Sequence, residues 1–404
     1  MTDCRFCGAT LSHVFADLGM APLANSILAE SELLRGEAFY PLCTFVCSDC
    51  LLVQLPEFAS PDVLFSDYAY FSSYSTTWLD HASRFAAYAT ERFGLDADSF
   101  VVELASNDGY LLRNFQQLGI PVLGVEPAAN VAEVAIAEGV PTEVRFFGRG
   151  VAADLATQRQ ADLLVANNVL AHVPDLNDFV AGIAVLLAPR GVASIEFPHL
   201  LNLIEQSQFD TIYHEHFSYF SLITAERIFE RHGLKVVDVH ELPTHGGSLR
   251  LFVARDGATT DAVRAVRERE LAAGLTDVQT YTAFDEETRR AKRRILSFFI
   301  SAKDAGQSIA GYGAPAKGNT LLNYCGIGTD FLDFTVDLNP HKQGRYLPGT
   351  HIPIRAPDDV RRRRPDLLFI LPWNLQAEII EQMSFIREWG GQFVVTSPEV
   401  QVIR

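Results

Sequence analysis

Four consecutive residues, Tyr213-His214-Glu215-His216, put a phenol, two imidazoles and a carboxylate into one short stretch. Neither a core strand nor a surface helix needs that set for folding. In a turn, Tyr213 and His216 stand three apart and share a face, so a phenol and an imidazole converge on one point. Histidine is the usual acid or base near neutral pH, and a neighbouring carboxylate fixes its tautomer and tunes its pKa. The chemistry expected is proton transfer, with His216 as base and Tyr213 or Glu215 as partner. A buried polar knot or a surface turn is the alternative. Another reading makes His214 and His216 metal ligands, since residues two apart share a face on a strand. The segment supplies no clear third ligand for such a site.

The second constellation is of thiols. Cys4-Arg5-Phe6-Cys7 and Cys47-Ser48-Asp49-Cys50 form two C-x-x-C knuckles. Four thiolates so spaced suit a closed tetrahedral zinc site, which leaves no open position for catalysis and is therefore structural. Free thiols or a redox pair are the alternative. Cys43 and Cys325 read as small buried hydrophobes. The aromatic segment from Phe65 to Tyr74 reads as packing, with one or two hydroxyls able to point into a site.

These groups need elements to position them. From Ser99 the chain alternates strands and helices: strands Phe100 to Leu104, Val122 to Val125, Asp162 to Ala166 and Val192 to Glu196 end in Ala105-Ser106-Asn107-Asp108-Gly109, Glu126-Pro127, Asn167-Asn168 and Phe197-Pro198. Apolar strands alternating with helices predict a parallel, doubly wound sheet whose ligand lies beyond the carboxyl ends of its strands. No G-x-G-x-x-G follows the first strand, so a dinucleotide is poorly supported. Glu103, the small or polar loop ending in Gly109, and Glu126 suit an adenosine-type ligand. Gly109 would admit the ligand to the backbone, and Glu126 would accept two ribose hydroxyls. Leu234 to Leu242 and Ser248 to Arg255 predict a hairpin around Gly246-Gly247.

Residues 257 to 304 read as one or two helices. A second α/β unit follows, with strands at Ser308 to Gly311, Phe334 to Asp337, Leu367 to Leu371 and Phe393 to Val395. Its first loop, Tyr312-Gly313-Ala314-Pro315-Ala316-Lys317-Gly318-Asn319, opens a helix, and free N–H groups at such a point favour a phosphate. It is not a Walker loop, because no Ser or Thr follows Lys317 directly. A tight turn is the plainer alternative. Asp337 to Arg345 adds basic and amide groups at the next strand end.

The chain has 404 residues, 48% hydrophobic and 21% charged, which suits two or three globular domains. A net charge of −17 argues against nucleic acid or an anionic membrane as partner. The basic run Arg361 to Arg364 reads as a solvated loop. No apolar run is long enough to span a bilayer and the first residues do not resemble a signal peptide, so a cytoplasmic protein is expected.

Taken in order, these pieces resemble the three-domain sugar C-methyltransferases that act on nucleotide-linked deoxyketosugars. The resemblance is carried by the two C-x-x-C pairs, Glu103 to Gly109, Gly124-Val125-Glu126-Pro127, Asn168-Val169-Leu170-Ala171-His172, Tyr213 to Ser218, His245-Gly246-Gly247-Ser248-Leu249-Arg250, Tyr312 to Asn319 and Asp337-x-Asn339-Pro340-x-Lys342, and it covers essentially the whole chain. It implies a zinc-binding domain over 1–75, a class I methyltransferase-like domain holding S-adenosylmethionine over 76–256, and a Rossmann-like α/β domain over 257–404 that helps to hold a nucleotide diphosphate sugar, with dTDP the expected nucleotide. In that family a histidine matching His216 removes the proton beside a keto group. Residues matching Tyr213, Glu215, His172 and Tyr70 line the site. The implied cofactor contacts are Glu103, Ala105, Ser106, Asn107, Gly109, Glu126, Pro127, Asn167 and Asn168. Those implied for the substrate are His245, Arg250, Tyr312, Lys317, Asn319, Lys342 and Arg345. Carbon methylation needs a carbanion equivalent, so a base must face the α-carbon and a donor the developing enolate oxygen; the cluster suits that demand. An epimerase using the same enolate and a non-catalytic zinc-containing binding protein are the competing readings. Monomer and homodimer both stay open.

Overall fold

The computed structural model describes residues 2–60, 73 and 76–404, with backbone alone at 76–77. Tyr70 and nearly all of the aromatic segment lie outside the described residues.

The strand Val101–Leu104 is buried along its whole length, as a strand covered on both faces must be. It lies within a seven-stranded sheet whose order is Thr142–Glu143, Val122–Val125, Val101–Leu104, Ala161–Asn167, Leu187–Pro198, Ser248–Ala254, Lys235–Leu242. Ser248–Ala254 alone runs against its neighbours. Alternate residues feed opposite cores, as the two-residue period of a strand requires. Val102, Leu104, Leu164 and Ala166 join helices Leu176–Leu186 and Leu222–Arg231 on one face. Val101, Leu163 and Val165 join Phe85, Ala89 and Phe115 on the other. The expected hairpin is present, its register running from Lys235 opposite Ala254 to Leu242 opposite Ser248. The sequence pattern does not show that its second strand also pairs with Leu187–Pro198.

Two helices, Asp261–Ala272 and Val278–Asp304, occupy the charged stretch. The second buries Tyr281, Phe284, Thr288, Ala291, Ile295, Phe299 and Ala302, a helical stripe. Phe284 stacks on Phe15 at 4.7 Å, so this helix joins the N-terminal strands and the second α/β unit into one core. That unit is a six-stranded sheet ordered Ile354–Arg355, Thr335–Val336, Ile309–Tyr312, Leu367–Ile370, Gln392–Val395, Gln401–Ile403. Its two outer strands are too short to carry a legible alternation.

The smallest sheet positions the site. Antiparallel strands His13–Ala21, Tyr40–Val46 and Val53–Gln54 are completed by Ser218–Tyr219, one residue beyond His216. The histidine segment is thereby stitched to the N-terminal sheet.

Candidate active site

The turn expected at Tyr213 to His216 is present, with the His216 N–H donating to the Tyr213 carbonyl at 2.9 Å. His216 Nδ1 lies 2.8 Å from the Thr211 carbonyl oxygen and His172 Nδ1 lies 2.8 Å from that of Glu215. A carbonyl oxygen only accepts, so each Nδ1 carries the hydrogen and each Nε2 keeps its lone pair. The two imidazoles meet edge to face at 4.7 Å, and the Tyr213 ring lies 4.0 Å from that of His216. Burial holds the His216 pKa well below the ordinary histidine value, helped by His172 and opposed by the Thr211 carbonyl. Burial likewise lowers His172 to about 4. At neutral pH both are free bases.

Glu215 and His214 turn elsewhere. Both Glu215 carboxylate oxygens accept from Asn25 Nδ2, at 2.7 and 2.8 Å. Burial raises this carboxyl to about 7 against the pull of Asn25 and Lys342. Of the two partners expected for His216, Tyr213 packs against it with its ring tilted by 34°, while Glu215 reaches Asn25 in the turn beyond the first N-terminal strand and holds His172 through its backbone. His214 Nε2 donates to the Pro41 carbonyl at 3.2 Å and its ring meets Tyr40 at 5.8 Å. His214 and His216 are thus anchored on different elements. Among the described residues, the one group of three or more metal-ligating side chains is the cysteine cluster.

The segment is held from the third side by the C-terminal sheet. Trp373 Nε1–H donates to Asp210 Oδ2 at 2.7 Å, and Thr320 Oγ1–H to the Ile212 carbonyl at 3.0 Å. Lys317 Nζ donates to Asn374 Oδ1 at 2.7 Å and sits 4.5 Å from the Trp373 ring centroid. Its charge helps to depress His216 and His245 and draws down Asp210, which burial lifts to about 6. The loop lysine expected to meet phosphate therefore also acts electrostatically on His216. Asn319 Nδ2 donates to the Ala24 carbonyl at 2.6 Å while its Oδ1 is buried without a partner among the described residues. Tyr312 donates to Gln382 at 2.5 Å, Lys342 to the Ala314 carbonyl at 2.9 Å, and Arg345 is exposed.

Arg250 and His245 sit at the junction with the central sheet. Arg250 pairs with buried Glu196, and His81 Nε2 lies 3.0 Å from the same carboxylate oxygen. Burial alone would raise Glu196, but His81 and Arg250 hold it at about 2. His245 has φ 53° and meets Trp78 edge-on at 5.5 Å. Asn25, Asp210, Trp373, His81 and Glu196 went unassigned in the sequence. Asp210 alone offered a signal there, as an acid within the same segment as His216.

The cofactor edge can be tested against its expected ligand. Glu103 Oε2, Ser106 Oγ, Asp108 Oδ1, Asn167 Oδ1 and both amide atoms of Asn168 are buried without a hydrogen-bond partner among the described residues. Native proteins seldom leave such atoms orphaned, and a row of them beyond the strand ends fits a polar, adenosine-bearing ligand. Glu126 accepts from the Asn107 and Ala128 N–H groups, both at 2.8 Å, and so pins the first loop to the second; Pro127 lies between the two acceptor contacts. Gly109 has φ 76°, and a Cβ there would lie 2.8 Å from Val140 Cγ2. Packing and backbone conformation thus demand this glycine, where the sequence suggested ligand approach. Ala105, Asn107 and Asn168 also adopt positive φ.

The ligand atoms of Cys4, Cys7, Cys47 and Cys50 all lie within 4.8 Å of one another. Four thiolates so close repel strongly unless a cation sits among them, which is the donor set and charge that zinc requires.

A doubly wound sheet with one reversed strand, a polar adenosine edge and a four-cysteine cluster define an S-adenosylmethionine-dependent methyltransferase with an appended zinc-type domain. Residues 78–239 match the family described as methyltransferase domain, 4–65 one described by its proposed zinc binding, and 243–398 the C-methyltransferase C-terminal domain. The chain is 39% identical over 405 aligned residues to the C-methyltransferase NovU of Streptomyces niveus, covering 99% of this chain and 96% of that protein. It belongs to the same C-methyltransferase family. Solved structures similar to its central part include an S-adenosylmethionine-dependent methyltransferase from Clostridium acetobutylicum, at 13% identity and TM-score 0.37 over 44% of this chain and 92% of that one. Another is magnesium protoporphyrin IX methyltransferase from Synechocystis, at 14% identity and TM-score 0.35 over 44% of this chain and 79% of that one. The fold assignment rests on the strand order and the family matches.

Proposed function

We propose that this C-methyltransferase methylates the carbon beside the keto group of a nucleotide diphosphate deoxysugar after His216 removes the proton from that carbon. The observation that carries the reading is the state of His216: a neutral imidazole, its Nδ1–H committed to Thr211, its Nε2 a lone pair. When bound, S-adenosylmethionine supplies an electrophilic methyl group on a sulfonium; Glu103 and the loop from Ala105 to Gly109, with Glu126, Pro127, Asn167 and Asn168, would hold it. His216 Nε2 takes the proton as the C–H bond breaks, and Tyr213 packs against the resulting imidazolium. His172 meets the same ring edge to face and lines the site beside it. Loops 313–319 and 337–345 carry the amide and basic groups that suit a diphosphate. Within this reading the chain divides at about residues 75 and 256, His245 and Arg250 bound the site, and a role for Tyr70 rests on the family resemblance alone.

The test is a panel of nucleotide-linked 4-keto-deoxysugars in deuterated water with labelled cofactor. His216→Asn should abolish both methyl transfer and exchange of the α-proton while binding S-adenosylmethionine normally. Near-normal exchange in that variant would remove His216 from the role.

A further inference from the structure

The two active-site imidazoles are linked to the cysteine cluster by Arg5, which stands between Cys4 and Cys7 in the chain. Arg5 Nη1 donates to the Pro174 carbonyl at 2.9 Å and Nη2 to the Leu55 carbonyl at 2.5 Å. The guanidinium carbon stands 5.3 Å from the Phe217 ring centroid. Pro174 follows the turn Leu170–His172, and Phe217 follows His216. The main chain repeats the link: Leu55 N–H donates to the Phe217 carbonyl at 3.0 Å, and Phe217 N–H to the Ala171 carbonyl at 2.7 Å. Gln54 closes the circuit. Its Oε1 accepts from the Arg5 N–H at 2.9 Å, its Nε2–H donates to Cys4 Sγ at 3.1 Å, and its backbone pairs with Ser218.

An arginine is a costly filler here. Its Nε is buried without a partner among the described residues, and an apolar side chain of similar reach would fill the space without desolvating a charge. What an apolar side chain cannot do is hold two carbonyls from separate loops at fixed separation. We propose that Arg5, fixed by the zinc ligands on either side and by Gln54, is a positioning residue that sets the relative placement of His172 and His216. Outer contacts of this kind on a metal ligand commonly orient what lies beyond it. The inference rests on His216 being the base, and its test is chosen to stand apart from that assignment.

The experiment uses the full-length protein carrying zinc, labelled with ¹⁵N-histidine. His172→Gln and His216→Asn serve to assign the two rings. At pH 7 both rings of the unmodified protein should report the Nδ1–H tautomer. Arg5→Met should retain one zinc per chain and bind S-adenosylmethionine within about twofold of normal, yet show averaged tautomers at both rings. With turnover substrate, kcat should fall about 100-fold, the scale of a 1 Å misplacement, at near-constant KM. Arg5→Lys should recover part of the loss, and Gln54→Leu should reproduce a milder form of it. Unchanged tautomers in Arg5→Met would overturn the proposal. So would loss of zinc from Arg5→Met with normal spectra in the other two variants. If His216→Asn still exchanges the substrate proton, the base assignment fails, while the tautomer readout continues to judge Arg5.

Discussion

Replacing Trp373 with phenylalanine keeps an aromatic ring beneath Lys317 and removes one hydrogen, the Nε1–H that Asp210 accepts. Asp210 is 2% exposed, and burial raises its carboxyl from 3.8 to about 6, with Lys317 and Trp373 pulling it back. Losing the donor removes one of those opposing groups, so the variant's pKa rises further. Below pH 5 the carboxyl is protonated in both folded proteins, and the variant lacks one neutral hydrogen bond, about 1 kcal/mol. At pH 8.5 the unmodified carboxylate is ionised and the variant leaves a buried charge short of its donor, a loss of roughly 2–3 kcal/mol. The sign follows from linkage. A folded pKa above the unfolded one gives stability that is complete below the unfolded value and is lost as pH rises through the folded one. Each further unit of elevation adds about 1.4 kcal/mol to that loss. Guanidinium unfolding of both proteins at pH 5 and pH 8.5 should therefore show a difference that grows with pH. An equal loss at both values would refute the assignment of Asp210 as a buried acid held down by Trp373. Since Asp210 adjoins the Thr211 carbonyl that orients His216, kcat of the variant should also fall.

The acid limb of the kcat profile should lie well below 6.5, since burial and His172 hold His216 down; a limb at or above 6.5 contradicts a neutral buried base. Gly109→Ala meets both a positive φ and Val140, and should cost about 2–4 kcal/mol of stability in denaturant titration. A variant of normal stability that binds S-adenosylmethionine weakly would restore the ligand-approach reading. Glu126→Gln turns an amide N–H₂ toward the Asn107 or Ala128 N–H, so calorimetry should show S-adenosylmethionine binding weakened at least about 10-fold, some 1.4 kcal/mol.

Much of this was legible because the carriers of chemistry are contiguous. Glu103 to Gly109, the two cysteine knuckles and Tyr213 to His216 are short runs whose residue types state their purpose. The alternation of apolar strands with helices likewise gave the central sheet. What stayed hidden is held by pairs distant in sequence: Asn25 on Glu215, Trp373 on Asp210, Arg5 on Pro174. None belongs to a local pattern, and each makes sense only once three sheets meet. The pairing of Val53–Gln54 with Ser218–Tyr219 involves two residues a side, too few to show a period. Glu215 illustrates the limit most directly, because adjacency to His216 suggested partnership and the turn carries its carboxylate the other way, to Asn25.

The histidine segment is tied by residues that leave the ribosome at widely separated times. Cys4 to Cys50 emerge first and can take up metal at once. The edge beside Val53–Gln54 waits for Ser218 and Tyr219, and the clasp on Ile212 and Asp210 waits for Thr320 and Trp373. Domains otherwise tend to fold in order of synthesis. A chain ending before residue 373 thus carries its four cysteines while the segment around His216 lacks the indole clasp on Asp210.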